Sequence, residues 1–358
     1  MKKNYWFLPP FCLSRALALV FVLGLVLEGS AFGQGSLTPP GPPGVTMKTL
    51  QQIEPRTPLN TLPGDSSAMF LVTQPGSYYL TTNLVVGPGT NAMRILVSDV
   101  AIDLNGFTIY GTTSRTAIQT FGPNLARVRI HNGSLVGWGG GVDFVSNGVV
   151  TNGTFEDLAL VFSNLNSFVY GISCGAERAR VLRCTITGLS GSSALAMYLG
   201  DQAVVEDCAV VNCDGGIVAG SSCVVKNCRI RSCPGAEGIR TSASCFIQHN
   251  LVVACKTGIT FGDACVVTDN SCQNAPAPAG AGFSINGNFS RIENNEALGN
   301  AGNGFTSQGD TTNNLVIRNF ARGNGFGNYS LNSTDSPGPL VSPSGTITNT
   351  SPWANFSF

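Results

Sequence analysis

A glycine followed by a large apolar residue recurs through the second half of the chain, and a run of β-forming residues ending in Cys or Asn recurs beside it. Successive copies of either motif follow at a nearly constant interval along the sequence. Two series that share one period indicate a repeat protein whose units stack on one another. The first series is Gly216-Ile217, Gly238-Ile239, Gly258-Ile259, Gly282-Phe283, Gly304-Phe305 and Gly325-Phe326; the second is Val204–Cys208, Val224–Cys228, Phe246–Asn250, Val266–Asn270, Arg291–Asn295 and Leu315–Asn319.

Each repeat unit divides into three short runs of β-forming residues. In the unit from Ala203 to Cys223, the runs begin at Val204, Ala209 and Gly216, and no helical periodicity is present. Leucine-rich repeats have a similar length but require regularly spaced leucines, which this chain lacks. The period therefore predicts an all-β fold: a single-stranded, right-handed parallel β-helix of about ten coils of roughly 20–26 residues, with a cap at each end.

Stacking of the units predicts columns of equivalent side chains. Two columns should point inwards and form the apolar core, and a third should lie at a corner, where Asn and Cys tolerate the turn and the burial. The predicted columns are Ile217, Ile239, Ile259, Phe283, Phe305 and Phe326; Val205, Val225, Ile247, Val267, Ile292 and Val316; and Cys184, Cys208, Cys228, Asn250, Asn270, Asn295 and Asn319.

The period, the asparagine column and the recurring Gly-Ile or Gly-Phe step resemble the right-handed parallel β-helix repeats of the pectate-lyase-like superfamily. The resemblance covers roughly residues 92 to 329. The layout of the whole chain, including Trp138-Gly139-Gly140-Gly141 and the terminal SPWANFSF, is similar to exported bacterial members of that group. The resemblance implies the architecture, but no particular reaction.

The two ends of the chain differ from the repeat. Residues 1–33 have basic residues, an apolar run from Ala16 to Leu27 and small residues near Gly33, which predicts a signal peptide and an extracytoplasmic protein with no membrane span after cleavage. Residues 34–91 are interpreted as a Pro/Gly linker and N-terminal cap, residues 92–330 as the β-helix, and residues 331–358 as a C-terminal tail or cap.

The charge composition limits the classes of partner. Only 11% of residues are charged, against ~25% in typical soluble proteins, and the 20 basic and 20 acidic residues balance. The sequence has no basic stripe of the kind that indicates nucleic acid binding. A polysaccharide or a cell-surface glycan is the expected partner, and no cofactor is indicated.

Eleven cysteines follow Cys12. Their number is odd, and columns such as Cys213, Cys233 and Cys255 would place sulfur atoms one strand spacing apart, which is long for a disulfide. Buried, unpaired thiols are the favoured interpretation. One or more strained disulfides, or a soft-metal site, remain the alternatives, although thiols in a line do not provide the four convergent ligands that zinc needs. We predict no metal site.

The search for catalytic residues gives weak candidates. The outward column Val218, Arg240, Thr260, Ser284 and Thr306 lacks an acid, and the signature motifs that resemblance to polygalacturonase-like hydrolases would imply are missing. Glu237, Arg240 and Asp263 beside that column, together with Lys256, are the best remaining charged candidates. His249 and Asp269 should be neighbours one coil apart and could serve as an acid–base pair. Trp138 could stack on a sugar, although a wide glycine-rich turn is the favoured interpretation of its segment.

The sequence therefore leaves the activity open. An exported β-helix with a surface-structural or glycan-binding role is the leading hypothesis, because the loops are short and even. A polysaccharide lyase, hydrolase or epimerase with a divergent active site on an outward face is the alternative, so whether the protein is an enzyme remains undecided.

Overall fold

The computed structural model describes residues 55–358, apart from residues 113, 114, 123, 164–168, 192, 277, 279 and 343. The predicted signal peptide and the first part of the predicted linker lie outside these residues. Every pairing between the described strands is parallel, and the chain winds through about eleven right-handed turns with almost no helix. The predicted fold class is confirmed. Among the described residues, no helix has the length and hydropathy needed to span a membrane.

The strands lie on three faces, which we name face A, face B and face C in the order in which each coil visits them. Four long strands turn a corner: Val128–Val136 and Thr154–Val161 run from face A to face B, and Arg229–Thr241 and Leu251–Phe261 run from face B to face C. The remaining strands of face A are Gly76–Tyr79, Val100–Asp103, Arg180–Leu182, Val204–Glu206, Val224–Lys226, Phe246–Gln248, Val266–Thr268, Arg291–Glu293, Leu315–Ile317 and Ser336–Pro337.

The other two faces are built in the same way. Short strands at Thr57–Pro58, Leu125–Ala126, Val150–Thr151 and Leu340–Val341 and a 3₁₀ helix at Leu59–Thr61 complete the fold. Face B contains Leu84–Val85, Thr108–Tyr110, Thr185–Thr187, Ala209–Val211, Ser271–Gln273, Glu296–Leu298, Phe320–Arg322 and Asn355–Ser357. Face C contains Ala68–Val72, Asn91–Ile95, Thr116–Thr120, Gly140–Asp143, Tyr170–Cys174, Leu195–Leu199, Gly215–Ala219, Phe283–Ile285, Asn303–Ser307 and Gly327–Ser330.

The inward columns fill the interior of the coils. On face A, Val205 and its five predicted partners are in register and fully buried. On face C the predicted column is correct from Ile217 to Phe305, but its last member is wrong. Tyr329 pairs with Phe305, whereas Phe326 is 72% exposed. Phe326 precedes the strand Gly327–Ser330 and therefore lies on the turn instead of on the face.

A ladder of hydrogen bonds follows the corner between face A and face B, and it confirms the predicted asparagine column. The N–H of Asn250 donates to Oδ1 of Asn270 at 3.0 Å, and Nδ2 of Asn250 donates to the same oxygen at 2.9 Å. The pattern continues through Asn295 and Asn319 to Asn355. Each side chain thereby satisfies backbone N–H groups that the turn leaves without a strand partner.

The eleven cysteines that follow Cys12 are free and buried, and most of them occupy corner ladders. The N–H of Cys223 donates to Sγ of Cys245 at 3.3 Å, and the N–H of Cys245 donates to Sγ of Cys265 at 3.4 Å. Ser290 and Asn314 continue this second ladder. A thiol therefore fills the position that Asn or Ser fills in later coils. In the part of the chain that the structure describes, no group of His, Cys, Asp or Glu side chains is arranged to hold a metal ion.

The stack of coils extends beyond residues 92–330 at both ends. The strand Ala68–Val72 pairs with Asn91–Ile95, so the first coil lies within the predicted cap region. At the other end, Asn355–Ser357 pairs with the strand that contains Phe320. The guanidinium of Arg318 lies 4.6 Å from the ring centroid of Trp353 and fastens the returning C-terminal segment to the body.

Candidate functional site

The outward side chains of face C form one continuous column that runs the length of the described coils. The predicted part, from Val218 to Thr306, is in the expected register. These five members lack an acid, as expected, but the prediction did not extend to the upstream coils, where the column reaches Asp143. In chain order its members are Leu71, Arg94, Gln119, Asp143, Ser173, Tyr198, Val218, Arg240, Thr260, Ser284, Thr306 and Ser330.

Asp143 lies at the base of a hollow of about 340 Å³ on face C, which we call the Asp143 hollow. Oδ1 of Asp143 accepts hydrogen bonds from Oγ of Ser173 at 2.9 Å and from the N–H groups of Val145 and Ser146 at 3.0 and 3.2 Å. Oδ2 has one weaker contact, with Nε2 of Gln119 at 3.5 Å. The carboxylate is thus held in place through one oxygen and retains acceptor capacity on the other.

Two tyrosines stand beside this hollow. The rings of Tyr170 and Tyr198 stack with their centroids 5.1 Å apart and an interplanar angle of 23°, and both side chains remain partly exposed. The pKa of Tyr170 is raised by its burial, by Tyr198 and by the negative charge of Asp143. Tyr170 and Asp143 line the same hollow.

A second hollow of about 470 Å³ lies on the other side of the tyrosines, and we call it the Arg240 hollow. Tyr198, Val218 and Arg240 form its wall on face C. Its floor is a row of glycines at the corner that leads to the next coil; a Cβ at Gly200 would lie 2.3 Å from the carbonyl oxygen of Ala176, so only glycine allows the coils to approach here.

The polar groups of the Arg240 hollow differ in how they are paired. Oδ1 of Asp201 accepts from the N–H of Ser221 at 2.7 Å, and Glu177 forms an ion pair with Arg178 at 3.1 Å. Arg240 is exposed and has no side-chain hydrogen bond or ion pair with any described residue. Its guanidinium is therefore the cationic group of this hollow that is free to meet a ligand.

The three charged residues predicted beside the column do not converge. Glu237 and Arg240 lie on one strand, three residues and therefore ~10 Å apart. Oδ1 of Asp263 accepts a hydrogen bond from the N–H of Asn288 at 2.7 Å, so Asp263 stabilises a corner between two coils. Of the three, Arg240 lines the Arg240 hollow, whereas Glu237 and Asp263 line neither of the two hollows described above.

His249 and Asp269 are neighbours one coil apart, as predicted. Nε2 of His249 lies 4.0 Å from Oδ2 of Asp269, and the side chains are 60% and 41% exposed. Both residues have positive φ angles, 57° and 58°, and occupy the turn that precedes the asparagine ladder. The contact is an exposed one at a corner, away from face C.

Trp138 cannot stack on a sugar, because its side chain is 1% exposed and Nε1 donates to the carbonyl oxygen of Ile109 at 3.0 Å.

The prediction from the sequence did not include the tyrosine pair or Asp143. The glycine-apolar step continues upstream as Gly171-Ile172 and Gly141-Val142, with Ser173 and Asp143 as the following outward residues. Extending that series would have indicated Ser173 and Asp143, but the series breaks before Tyr198, which follows Ala196-Met197.

Comparison with known proteins agrees with the architecture. The family model described as a right-handed β-helix region matches residues 105–271. Among solved structures, the periplasmic alginate epimerase AlgG aligns with a TM-score of 0.51 and 13% identity over 80% of this chain and 78% of that chain. This chain is a right-handed parallel β-helix protein.

Two further solved structures align less well. The A-module of the mannuronan C-5 epimerase AlgE6 from Azotobacter vinelandii gives a TM-score of 0.34 at 11% identity, over 79% of this chain and 90% of that chain. The Dettilon tailspike protein gives 0.36 at 14% identity, over 80% and 62%. No curated protein matches the sequence. At these identities the likeness concerns the fold alone.

Proposed function

We propose that this protein is exported and binds a glycan chain along face C, across the Asp143 hollow, the tyrosine pair and the Arg240 hollow. The observation that carries the proposal is the stacked pair Tyr170 and Tyr198, which is partly exposed on face C beside two hollows that contain charged side chains. Sugars present apolar ring faces and polar edges, and such a surface offers a partner to each.

The dimensions of face C suit an extended ligand. Asp143 and Arg240 are separated by four strand spacings along the column, or ~19 Å. An oligosaccharide could therefore contact both hollows while it crosses the tyrosines. The similarity of the fold to a periplasmic alginate epimerase is compatible with a glycan partner and with a location outside the cytoplasm. The predicted signal peptide supports the same location.

Binding is tested by titrating the full-length chain with oligosaccharides of neutral and acidic polysaccharides. Tyr198→Ala and Tyr170→Ala should each weaken binding of the tightest ligand about fivefold, because an aromatic contact contributes about 1 kcal/mol. Tyr110→Ala is the matched control: Tyr110 is 41% exposed but lies on face B. Unchanged affinity in both face C variants would reject the proposed site.

The same preparations separate binding from catalysis. Glycan incubated with the protein should yield no new reducing ends, no unsaturated sugars and no change in sugar configuration. Turnover that is lost in Asp143→Asn would place a catalytic centre on face C. Turnover lost in Glu237→Ala or Asp269→Ala would instead favour a polysaccharide lyase, hydrolase or epimerase centred on the residues singled out from the sequence.

A further inference from the structure

We propose that Asp143 makes its hollow select an uncharged sugar and exclude a uronate, so that the glycan held on face C is not a homopolymer of uronic acids. This inference rests on the proposed function. Asp143 determines the class of ligand in two ways. Its Oδ2 oxygen can still accept a hydrogen bond, and its carboxylate is negatively charged.

The hydrogen bonds around Asp143 determine what can approach it. Three donors already point at Oδ1. Nδ2 of Asn91 donates to Oε1 of Gln119 at 3.0 Å, and this contact fixes the Gln119 amide with its Nε2 towards Oδ2. Oδ2 can therefore accept a further hydrogen bond, which a sugar hydroxyl or an ammonium group can supply. A carboxylate can supply none.

The surroundings of Asp143 do not neutralise it at the hollow. Arg94 is two strands away along the column, so the two backbones are ~10 Å apart, and Asp143 forms no ion pair with any described residue. The guanidinium of Arg94 instead lies 4.9 Å from the ring centroid of Phe121.

A second anion placed beside Asp143 would meet a like charge at short range. At the effective dielectric constant that applies near a protein surface, such a contact weakens binding by about tenfold or more. Specificity of this kind arises from repulsion of the wrong ligand in addition to attraction of the right one. Asp143 both attracts the right ligand and repels the wrong one, because the same carboxylate that accepts a hydrogen bond from a hydroxyl repels another carboxylate.

The test is calorimetric titration of the full-length chain with hexasaccharides of two classes. The neutral set comprises glucan, mannan and galactan fragments, and the acidic set comprises oligomannuronate and oligogalacturonate. We expect the best neutral ligand to bind at least about tenfold more tightly than either uronate. Asp143→Asn should strengthen uronate binding about tenfold, because the asparagine keeps the acceptor oxygen for Val145 and Ser146 but removes the charge.

Asp207→Asn is the matched control, because Asp207 is an exposed carboxylate on a turn outside face C; it should leave the ratio of affinities unchanged. Two further measurements do not depend on the folding of Asp143→Asn. Raising the salt concentration should lower the ratio of neutral to uronate affinity in the wild-type protein. Gln119→Glu should raise that ratio.

Uronates that bind the wild-type protein as tightly as the best neutral ligand, or a ratio that Asp143→Asn leaves unchanged, would overturn this inference and leave the proposed function standing. Failure of both classes to bind would overturn the proposed function, and this inference with it.

Discussion

The rings of Phe305 and Tyr329 stack with their centroids 5.1 Å apart and an interplanar angle of 6°, and Phe283 stacks on the other side of Phe305 at 4.7 Å. This column continues the face C core into the last coils, and it excludes Phe326. Phe305 and Phe326, which stand one repeat period apart in the sequence, consequently have opposite environments.

The first prediction contrasts these two residues. Phe305→Ala should lower the free energy of unfolding by about 3–5 kcal/mol, because it leaves a cavity between stacked rings. Phe326→Ala should change it by less than about 0.5 kcal/mol, since Phe326 is 72% exposed. Urea unfolding followed by circular dichroism gives both values. Equal effects would mean that Tyr329 does not hold the core position.

The second prediction concerns the asparagine ladder. Asn295→Ala removes the oxygen that accepts from the N–H of Asn270, while Nδ2 of Asn270 keeps the carbonyl oxygens of Ile247 and Thr268 as acceptors. The backbone N–H is left unpaired and buried, which costs about 1–3 kcal/mol. Asn295→Cys should lower the stability less, because thiol sulfur atoms accept hydrogen bonds from backbone N–H groups at corner positions in earlier coils. Thermal unfolding measures both variants. Asn60→Ala, at an exposed position, is the control and should be nearly neutral. A cysteine variant as unstable as the alanine variant would contradict the interchange.

The third prediction concerns thiol reactivity. Burial raises the pKa of the Cys213 thiol to about 11 and that of Cys174 to about 12, so these two thiols carry little thiolate at neutral pH. The other nine thiols are also buried and out of reach of a reagent. A thiol reagent should therefore modify the native protein very slowly and should modify all eleven of these cysteines after denaturation without a reductant. A denatured protein with fewer reactive thiols would reveal disulfides in place of the ladder.

The fourth prediction concerns pH and His131. The pKa of His131 is lowered from its usual value of 6.5, first by burial and then by Arg129, against the opposing influence of Asp103, Glu156 and Asp157. Because the folded state disfavours the protonated imidazole, this residue stabilises the fold above pH 6.5, and that contribution is lost as the pH falls below this value.

Urea midpoints at pH 7.5 and 5.5 test this prediction. The wild-type protein should lose more stability between the two values than His131→Gln does, and His249→Gln, at an exposed corner, should behave as the wild type does. An identical pH dependence in the wild type and His131→Gln would refute a role for this imidazole.

Much of the fold can be predicted from the sequence, because it follows from the alternation of residues within strands and from the constant spacing of the repeats. The alternation around Val205 and Val225 places them inside a strand-built coil, and the constant spacing of Asn250, Asn270 and Asn295 predicts their ladder. Both features depend on periods that a sequence displays directly. The end of the face C column was mispredicted because the step from Phe305 to Phe326 keeps the period, while the turn before Gly327 shifts the strand.

The candidate site was less accessible to sequence analysis. Tyr170 and Tyr198 belong to different coils, and Asp143 and Arg240 are separated by four strand pairings along the column. The upstream coils are in places longer than the predicted repeat, as in the step from Val100 to Val128, and this hides the register of the column. Without that register, Asp143 is a single acid in a glycine-rich segment.

The sequence by itself therefore determined the period, the strand-rich coils, the corner ladders and most of the apolar core, because each arises from side chains that repeat at fixed spacing. Only the tertiary structure decided that Tyr329 replaces Phe326, that Trp138 is buried, and that Asp143, Tyr170, Tyr198 and Arg240 share one face. The physical reason is that hydrogen bonds between coils set the register independently of how many residues each turn contains, so distant residues become neighbours only when the coils stack.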